Sequence, residues 1–312
     1  MTIVPPSPGE PRRPDGPRDP GDAWVVGPGG EKYWGRFGAA GLLAVDAQRG
    51  ILLQHRVSWS HFGGTWGLPG GALHDGEGAI AGALREAQEE AGIPDGAVRA
   101  RFTSVLDLGV WSYTTVVADV VEQFDPVISD PESVALAWVP LPEVDELPLH
   151  PGFGDAWPTL RTLLEVRPAL VVDAANVVGS VPDGWWKDRA GAAARLGSRL
   201  AGLEVPASAL ELEGAVWFPE IALVVEGQAR NLDAGEDADG ASSGVAIVRA
   251  PGSGDDAIIE EAERRAAGGQ VVTVITSDRE LRRRAERAGA RVQTSGWLLS
   301  LLDRSDGERS SS

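Results

Sequence analysis

The stretch GGALHDGEGAIAGALREAQEEAGI, Gly70–Ile93, decides how the first half of this chain is read. From about Gly78 to Ala91 its spacing predicts a helix. Ile80, Ala83, Leu84, Ala87 and Ala91 recur at helical steps and predict one buried stripe. Glu86, Glu89 and Glu90 are spaced to share a face, which this reading puts on the solvent side. Three crowded carboxylates repel one another unless a cation sits among them. Mg²⁺ or Mn²⁺, hard ions that take oxygen ligands, meets that need. A solvated acidic helix face is the plainer alternative.

The full spacing says more than the helix alone. Gly71, five residues, Glu77, seven residues and then Arg85-Glu86-Ala87-Gln88-Glu89-Glu90-Ala91-Gly92-Ile93 resembles the Nudix box, and Trp66-Gly67-Leu68-Pro69-Gly70-Gly71 resembles its usual lead-in. The resemblance covers about Tyr33 to Leu164. It implies an α/β/α sandwich with the box as loop, helix and loop, and a Mg²⁺- or Mn²⁺-dependent hydrolase of nucleoside diphosphate derivatives. By the same resemblance Glu89 and Glu90 are the principal metal ligands. Glu86 is a further ligand or the base acting on water, Arg85 orients the carboxylates, Glu77 supports the metal shell, and the Gly70 carbonyl is a backbone ligand. The wording of HRVSWSHFGGTWGLPGG is most like the MutT-like nucleoside triphosphate branch. Outside the box, Glu132 is either an added carboxylate or a surface loop residue. Trp59, His61 and Phe62 either stack on a base or pack in the core.

Working outward, 312 residues predict two domains of ordinary size, and 43% hydrophobic with 24% charged residues is enough to bury a core in each. Residues 1–22, rich in Pro, Gly and charge, and residues 306–312 are expected to be disordered, flanking domains at 23–166 and 167–305. The absence of cysteine removes disulfides and thiolate chemistry and fits a reducing cytoplasm. Neither a signal-type apolar segment nor a membrane-length apolar run is present. A net charge of −18 argues against a nucleic-acid-coating protein, yet suits an enzyme whose carboxylates collect metal ions.

After Arg167-Pro168 apolar runs alternate with helical segments, which predicts a second α/β domain with a mainly parallel sheet. Asp173 follows the run ALVV, Asp255 and Asp256 open a helix after PGSG, and Asp278 follows VVTVITS. Carboxyl ends of parallel strands are where such sheets place their sites. Singly, each Asp also serves as a helix cap or turn former. The segments VVDAANVVG, GSGDDAIIEEA and VITSDRELRRRAERAGARV are similar to the NYN (YacP-like) branch of the PIN-like nucleases. That similarity implies a metal-dependent ribonuclease in which Asp173, Asp255 and Asp278 are ligands, Asp256 is an alternative to its neighbour, and Asn176 and Ser277 assist. Arg279, Arg282, Arg283, Arg284 and Arg287 either contact an RNA backbone or form a solvated surface. The rival from another class is a nucleotide sensor whose second domain binds RNA or a partner without catalysis.

Overall fold

The computed structural model describes residues 19–181, 185–231 and 244–309. Two units divide the chain between Leu163 and Leu164, and the short segment Glu213–Val216 returns to the first of them.

The first unit starts with a separate antiparallel hairpin, β1 (Trp24–Val26) and β2 (Lys32–Trp34). Its main sheet takes β3 (Ala39–Asp46), β4 (Gly50–Arg56), β5 (Trp66–Gly67) and β6 (Gly70–Ala72) before the helix α1 (Ala79–Ala91). The long strands β7 (Val98–Asp107) and β8 (Ser112–Val120), the strand β9 (Ser133–Val139) and the helix α2 (Pro151–Leu163) complete it. The order β7-β8-β3-β4-β5 is mixed, because β3 pairs parallel with β8 and antiparallel with β4 and β6, while β9 pairs with β4. Side chains alternate across a strand. Ala40, Leu42, Ala44 and Leu52 therefore join Val116 and Ala118 against Ala83, Ala87 and Ala91 of α1. Leu43, Leu53 and Val117 point the other way and are buried too, so the sheet is covered on both faces. On the β7 edge, Ala215 N–H of the returning segment donates to Thr103 O (2.8 Å).

The expected stripe on α1 needs one correction. Ala83, Ala87 and Ala91 are buried, but Leu84 is 39% exposed and Glu90 only 7%. Glu90 lies one helical step from Ala87 and turns inward with it, so small alanines set the buried face and the larger Leu84 falls outside. Helix α2 also begins six residues earlier than its expected start at Trp157. Pro151 at its first turn suits a helix start, and Phe153 and Trp157 then bury together.

In the second unit β10 (Pro168–Asp173) runs into α3 (Ala174–Gly179) and α4 (Arg189–Leu200). Two-residue strands β11 (Val205–Pro206) and β12 (Val216–Trp217) precede β13 (Glu220–Val225) and β14 (Val245–Arg249). The helix α5 (Gly254–Ala267), β15 (Val271–Ile275), α6 (Arg279–Arg287), β16 (Arg291–Gln293) and α7 (Ser295–Arg309) follow. The five-stranded sheet is ordered β14-β13-β10-β15-β16 and every pair is parallel, as the alternating text predicts. Its centre is a continuous apolar run, Ala169–Val172, buried on both faces.

The disordered tail expected from residue 306 is corrected as far as Arg309, where α7 ends. Leu298, Leu301 and Leu302 bury its body, and Asp303 and Asp306 both meet Arg199 at 2.8 Å. Residues 310–312 lie outside the described residues. The disorder expected for residues 1–22 also falls outside them up to residue 18, whereas 19–22 form a turn closed by Asp22 N–H on Asp19 O (2.9 Å).

Candidate active site

Helix α1 is set for its task by its ends. Gly78 precedes it in extended conformation, and Gly92 ends it in the left-handed region, φ 63°, where glycine carries no Cβ penalty. The helix then holds Arg85, Glu86 and Glu90 against β6 and the loop after it. Arg85 is the hub. Its Nε and Nη2 donate to the two Glu77 oxygens (2.8 and 2.9 Å), and Nη1 donates to Glu86 Oε1 (2.8 Å) and Glu89 Oε2 (3.3 Å). Nη2 also reaches the Ala72 carbonyl at 3.1 Å, tying the fork to β6. The Arg85 hydrogen bonds hold the Glu77 carboxyl at about 2, with His74 N–H adding to that effect.

Glu86 and Glu90 sit differently. Burial pushes Glu86 up, opposed by its Arg85 bond and reinforced by Glu89 and Asp22. Burial raises Glu90 to about 8, against the pull of Arg56 and with the push of Glu86 and Asp130. Glu90 Oε2 accepts the Gly70 N–H at 2.8 Å. A Cβ on Gly71 would stand 2.6 Å from the Glu86 carboxyl carbon, so glycine there is what lets the carboxylate lie against β6. Gly70, Glu77, Arg85, Glu86, Glu89 and Glu90 thus come together along one side of α1, joined by Arg85 and by the Gly70 N–H.

Carboxylates from the helix and the backbone of Gly70 offer hard oxygen donors. Glu90, buried among like charges with the Gly70 backbone N–H on one oxygen, is the group a cation would relieve most. The residues therefore fit a divalent metal. Among the described residues no three His, Asp or Glu side chains already converge as a ligand set, since Arg85 engages three of these carboxylates.

A family model for the NUDIX domain matches residues 35–162. The "Putative 8-oxo-dGTP diphosphatase 3" of Mycobacterium tuberculosis is 50% identical over 155 residues, which are 46% of this chain and 71% of that protein. The chain belongs to the Nudix family.

A "Nucleoside triphosphate pyrophosphatase/Nudix hydrolase fusion protein" of Bifidobacterium longum is 40% identical over 154 residues, 47% of this chain and 32% of that protein. The crystal structure of RenU, a Nudix hydrolase of M. smegmatis, aligns with 46% of this chain and 95% of its own at 44% identity and a TM-score of 0.43. This chain is accordingly a Nudix hydrolase, an enzyme acting on phosphoric anhydride bonds. Nudix hydrolases use divalent metals such as Mg²⁺.

Around the Nudix box the structure adds two groups that sequence reading misses. Arg56, at the end of β4, has a buried Nε with no hydrogen-bond partner among the described residues. Asp130 is the carboxylate outside the box that acts on Glu90. Glu132, the expected one, takes the Asp130 side chain on its own N–H at 2.5 Å. The pairing of β9 with β4 and the backbone bonds of Val127 and Ser129 N–H to the Ala91 and Glu90 carbonyls bring this loop to the box, so no local motif announces it.

Beyond the Nudix match, the strand ends of the second unit collect another acidic group. Asp173 caps α3, accepting Asn176 N–H (3.0 Å) on one oxygen and Thr276 Oγ1–H (2.9 Å) on the other. Asn176 Oδ1 accepts from Ser277 N–H (2.8 Å) and Ser295 Oγ–H (2.5 Å). Asp278 caps α6 through Glu280 and Leu281 N–H, both at 2.8 Å. Burial raises Asp173, and Asp255 and Glu226 raise it further against its two hydrogen bonds. Burial likewise raises Asp255, followed by Asp278, with Arg284 opposing. Asp255 thus acts by its charge on Asp173, and Asp278 on Asp255, while Glu226, just after β13, acts on both and is a member that the strand reading absorbed; among the described residues they do not converge as a ready ligand set. Asp256 stands apart from them, bound outward to Arg284 at 2.6 Å. Of the α6 arginines, Arg284 is thus occupied, and Arg283 and Arg287 each stand 3.8 Å from Glu280.

Proposed function

We propose that the first unit, assigned to residues 23–166, hydrolyses the pyrophosphate link of a nucleoside triphosphate, with 8-oxo-dGTP and 5′-triphosphorylated RNA the first substrates to try. The observation that carries this reading is the buried Glu90, held by Gly70 N–H and crowded by Glu86 and Asp130. Its relative from M. tuberculosis, named "Putative 8-oxo-dGTP diphosphatase 3", supports the substrate class.

In this reading Glu86, Glu89, Glu90 and the Gly70 carbonyl hold Mg²⁺ or Mn²⁺, with Glu77 in support. When bound, such an ion neutralises the diphosphate and lowers the pKa of the attacking water. Arg85 fixes the carboxylates in register through its fork, a geometry lysine lacks. Glu86, whose carboxyl burial raises, is the residue assigned to take a proton from water. The test is a Glu90→Gln variant assayed on a nucleotide panel with Mg²⁺. Unchanged phosphate or pyrophosphate release sinks the reading.

For the second unit, assigned to residues 167–305, the reading is a PIN-like, NYN/YacP-type metal-dependent ribonuclease with Asp173, Asp255 and Asp278 as ligands and RNA as partner. It is supported by the raising of Asp173 and Asp255, each first by burial and then by acidic neighbours that include Glu226, beside the carboxyl ends of parallel strands. Asp256 is set aside as a ligand because Arg284 holds it. Wild-type protein that cuts no single-stranded RNA with Mn²⁺ removes this second activity. The chain is placed in the cytoplasm on its lack of cysteine, and no helix among the described residues is long and apolar enough to cross a membrane.

A further inference from the structure

The hairpin β1–β2 lies before residue 35, where the Nudix match begins, and it forms its own two-stranded sheet. Its aromatic side chains nonetheless join the enzyme. Trp24 stands edge-on to both Trp34 and His61, each at 5.1 Å. His61 is 4.1 Å from Phe62, and Phe62 is 4.9 Å from His150. From the other strand Tyr33 stacks on Trp111 (4.9 Å), whose Nε1–H donates to Trp34 O (2.9 Å).

Two features set this array apart from ordinary core packing. Phe62 has φ 56°, a left-handed conformation that disfavours a side chain of its kind. Its ring is nevertheless 46% exposed, and Trp24 is 38% exposed. Strained, solvent-facing aromatic residues are found where a ligand covers them more readily than where packing alone decides.

Arg56 links the array to the acidic cluster. Its charge acts on His61 and His150 of the array and also on Glu90 and Tyr113, so it lies within electrostatic reach of both groups. Burial, with Arg56, holds both imidazoles low, His150 at about 4, so the array is uncharged at neutral pH. Carboxylates, a guanidinium and flat uncharged rings therefore share one neighbourhood. A nucleotide has the matching polarity, with a polyphosphate at one end and a π-faced base at the other.

We propose that Trp24, His61, Phe62 and His150 form the wall that binds the nucleobase, with the N-terminal hairpin as its outer part and a purine stacking on Phe62 and Trp24. This rests on the first unit acting on a nucleoside triphosphate. The experiment is calorimetric titration of the full chain with dGMP in Mg²⁺, alongside KM and kcat for dGTP. Trp24→Ala and Phe62→Gly each weaken dGMP about tenfold and raise KM in step, with kcat held within about twofold. Glycine suits the positive φ of position 62, so that variant removes the ring and keeps the loop. Trp186→Ala, an exposed tryptophan of the second unit, leaves both readouts unchanged. Unchanged dGMP affinity in both wall variants, or a wild type that takes up no dGMP, overturns the proposal. Wild type that binds dGMP through the wall but hydrolyses no triphosphate sinks the pyrophosphohydrolase reading and leaves the wall standing. Normal hydrolysis with unmoved KM in both variants does the reverse.

Discussion

The two acidic clusters of this chain hold negative charge in opposite ways. On α1 a guanidinium sits among the carboxylates, and Arg85 reaches Glu77, Glu86 and Glu89 at once. At the strand ends of the second unit, Asp173 and Asp278 rest on neutral donors, namely backbone N–H groups of helix starts and the Thr276 hydroxyl. The first cluster is local in sequence and carries its own counter-charge. The second gathers residues from the ends of β10 and β13 and the starts of α5 and α6, and in it Asp173 and Asp255 are each raised by burial and by acidic neighbours. A carboxylate group is therefore defined less by its count of acids than by what balances them.

The largest expected effect tests whether the clusters are independent. Glu90→Gln should lower nucleotide hydrolysis by roughly a hundredfold to a thousandfold and leave RNA cleavage untouched, with Asp173→Asn giving the converse pattern. Loss of both activities in either variant breaks the comparison. Asparagine caps helices about as well as aspartate, so Asp173→Asn should keep stability within ~1 kcal/mol, measured by urea unfolding.

Next comes Gly71→Ala. Its Cβ would meet the Glu86 carboxylate at 2.6–2.7 Å, so the hydrolase rate should fall on the order of tenfold while the thermal midpoint stays near wild type. Wild-type kinetics in that variant would show that Glu86 does not need its seat against β6. Removing the divalent ion with a chelator should abolish nucleotide hydrolysis but not unfold the first unit, because Arg85 still balances Glu77, Glu86 and Glu89; far-UV circular dichroism reads this directly.

The smallest effect is a pH slope. His150 is held at about 4 when folded against 6.5 for the free group, so the unfolded chain binds more protons between those values. Its contribution to stability is complete above pH 6.5 and is lost as pH falls towards 4. In His150→Phe the decline in melting temperature over that window should flatten, with the remaining slope owed in part to His61.

What could be read in the sequence was what lies close in the chain. The box from Gly71 to Ile93 keeps its spacing within a few helical turns, so Glu77, Arg85, Glu86, Glu89 and Glu90 were visible before any fold. Arg56 and Asp130 were not, since strand pairing and long-range backbone bonds bring them near Glu90. Glu226 was hidden as the last letter of a strand. Asp255 and Asp256 could not be told apart because adjacent positions on a helix point about 100° apart, and only the packing of α5 decides which faces the strand ends. Leu84 misled for a related reason. Hydrophobicity marked it as core, but the alanines needed for close approach of α1 to the sheet chose the face.

The return of Glu213–Val216 to the first unit has a consequence for synthesis. A ribosome that has finished Leu163 has made every residue matched by the Nudix model, yet the Thr103 carbonyl on β7 still lacks its Ala215 donor. At typical elongation rates the missing segment emerges roughly 3 to 10 seconds later. For that interval the nascent enzyme carries an open sheet edge, the feature most prone to pair with a neighbouring chain. A truncation ending at Leu163 would keep that edge open permanently, so expression of the hydrolase by itself needs a boundary chosen in three dimensions.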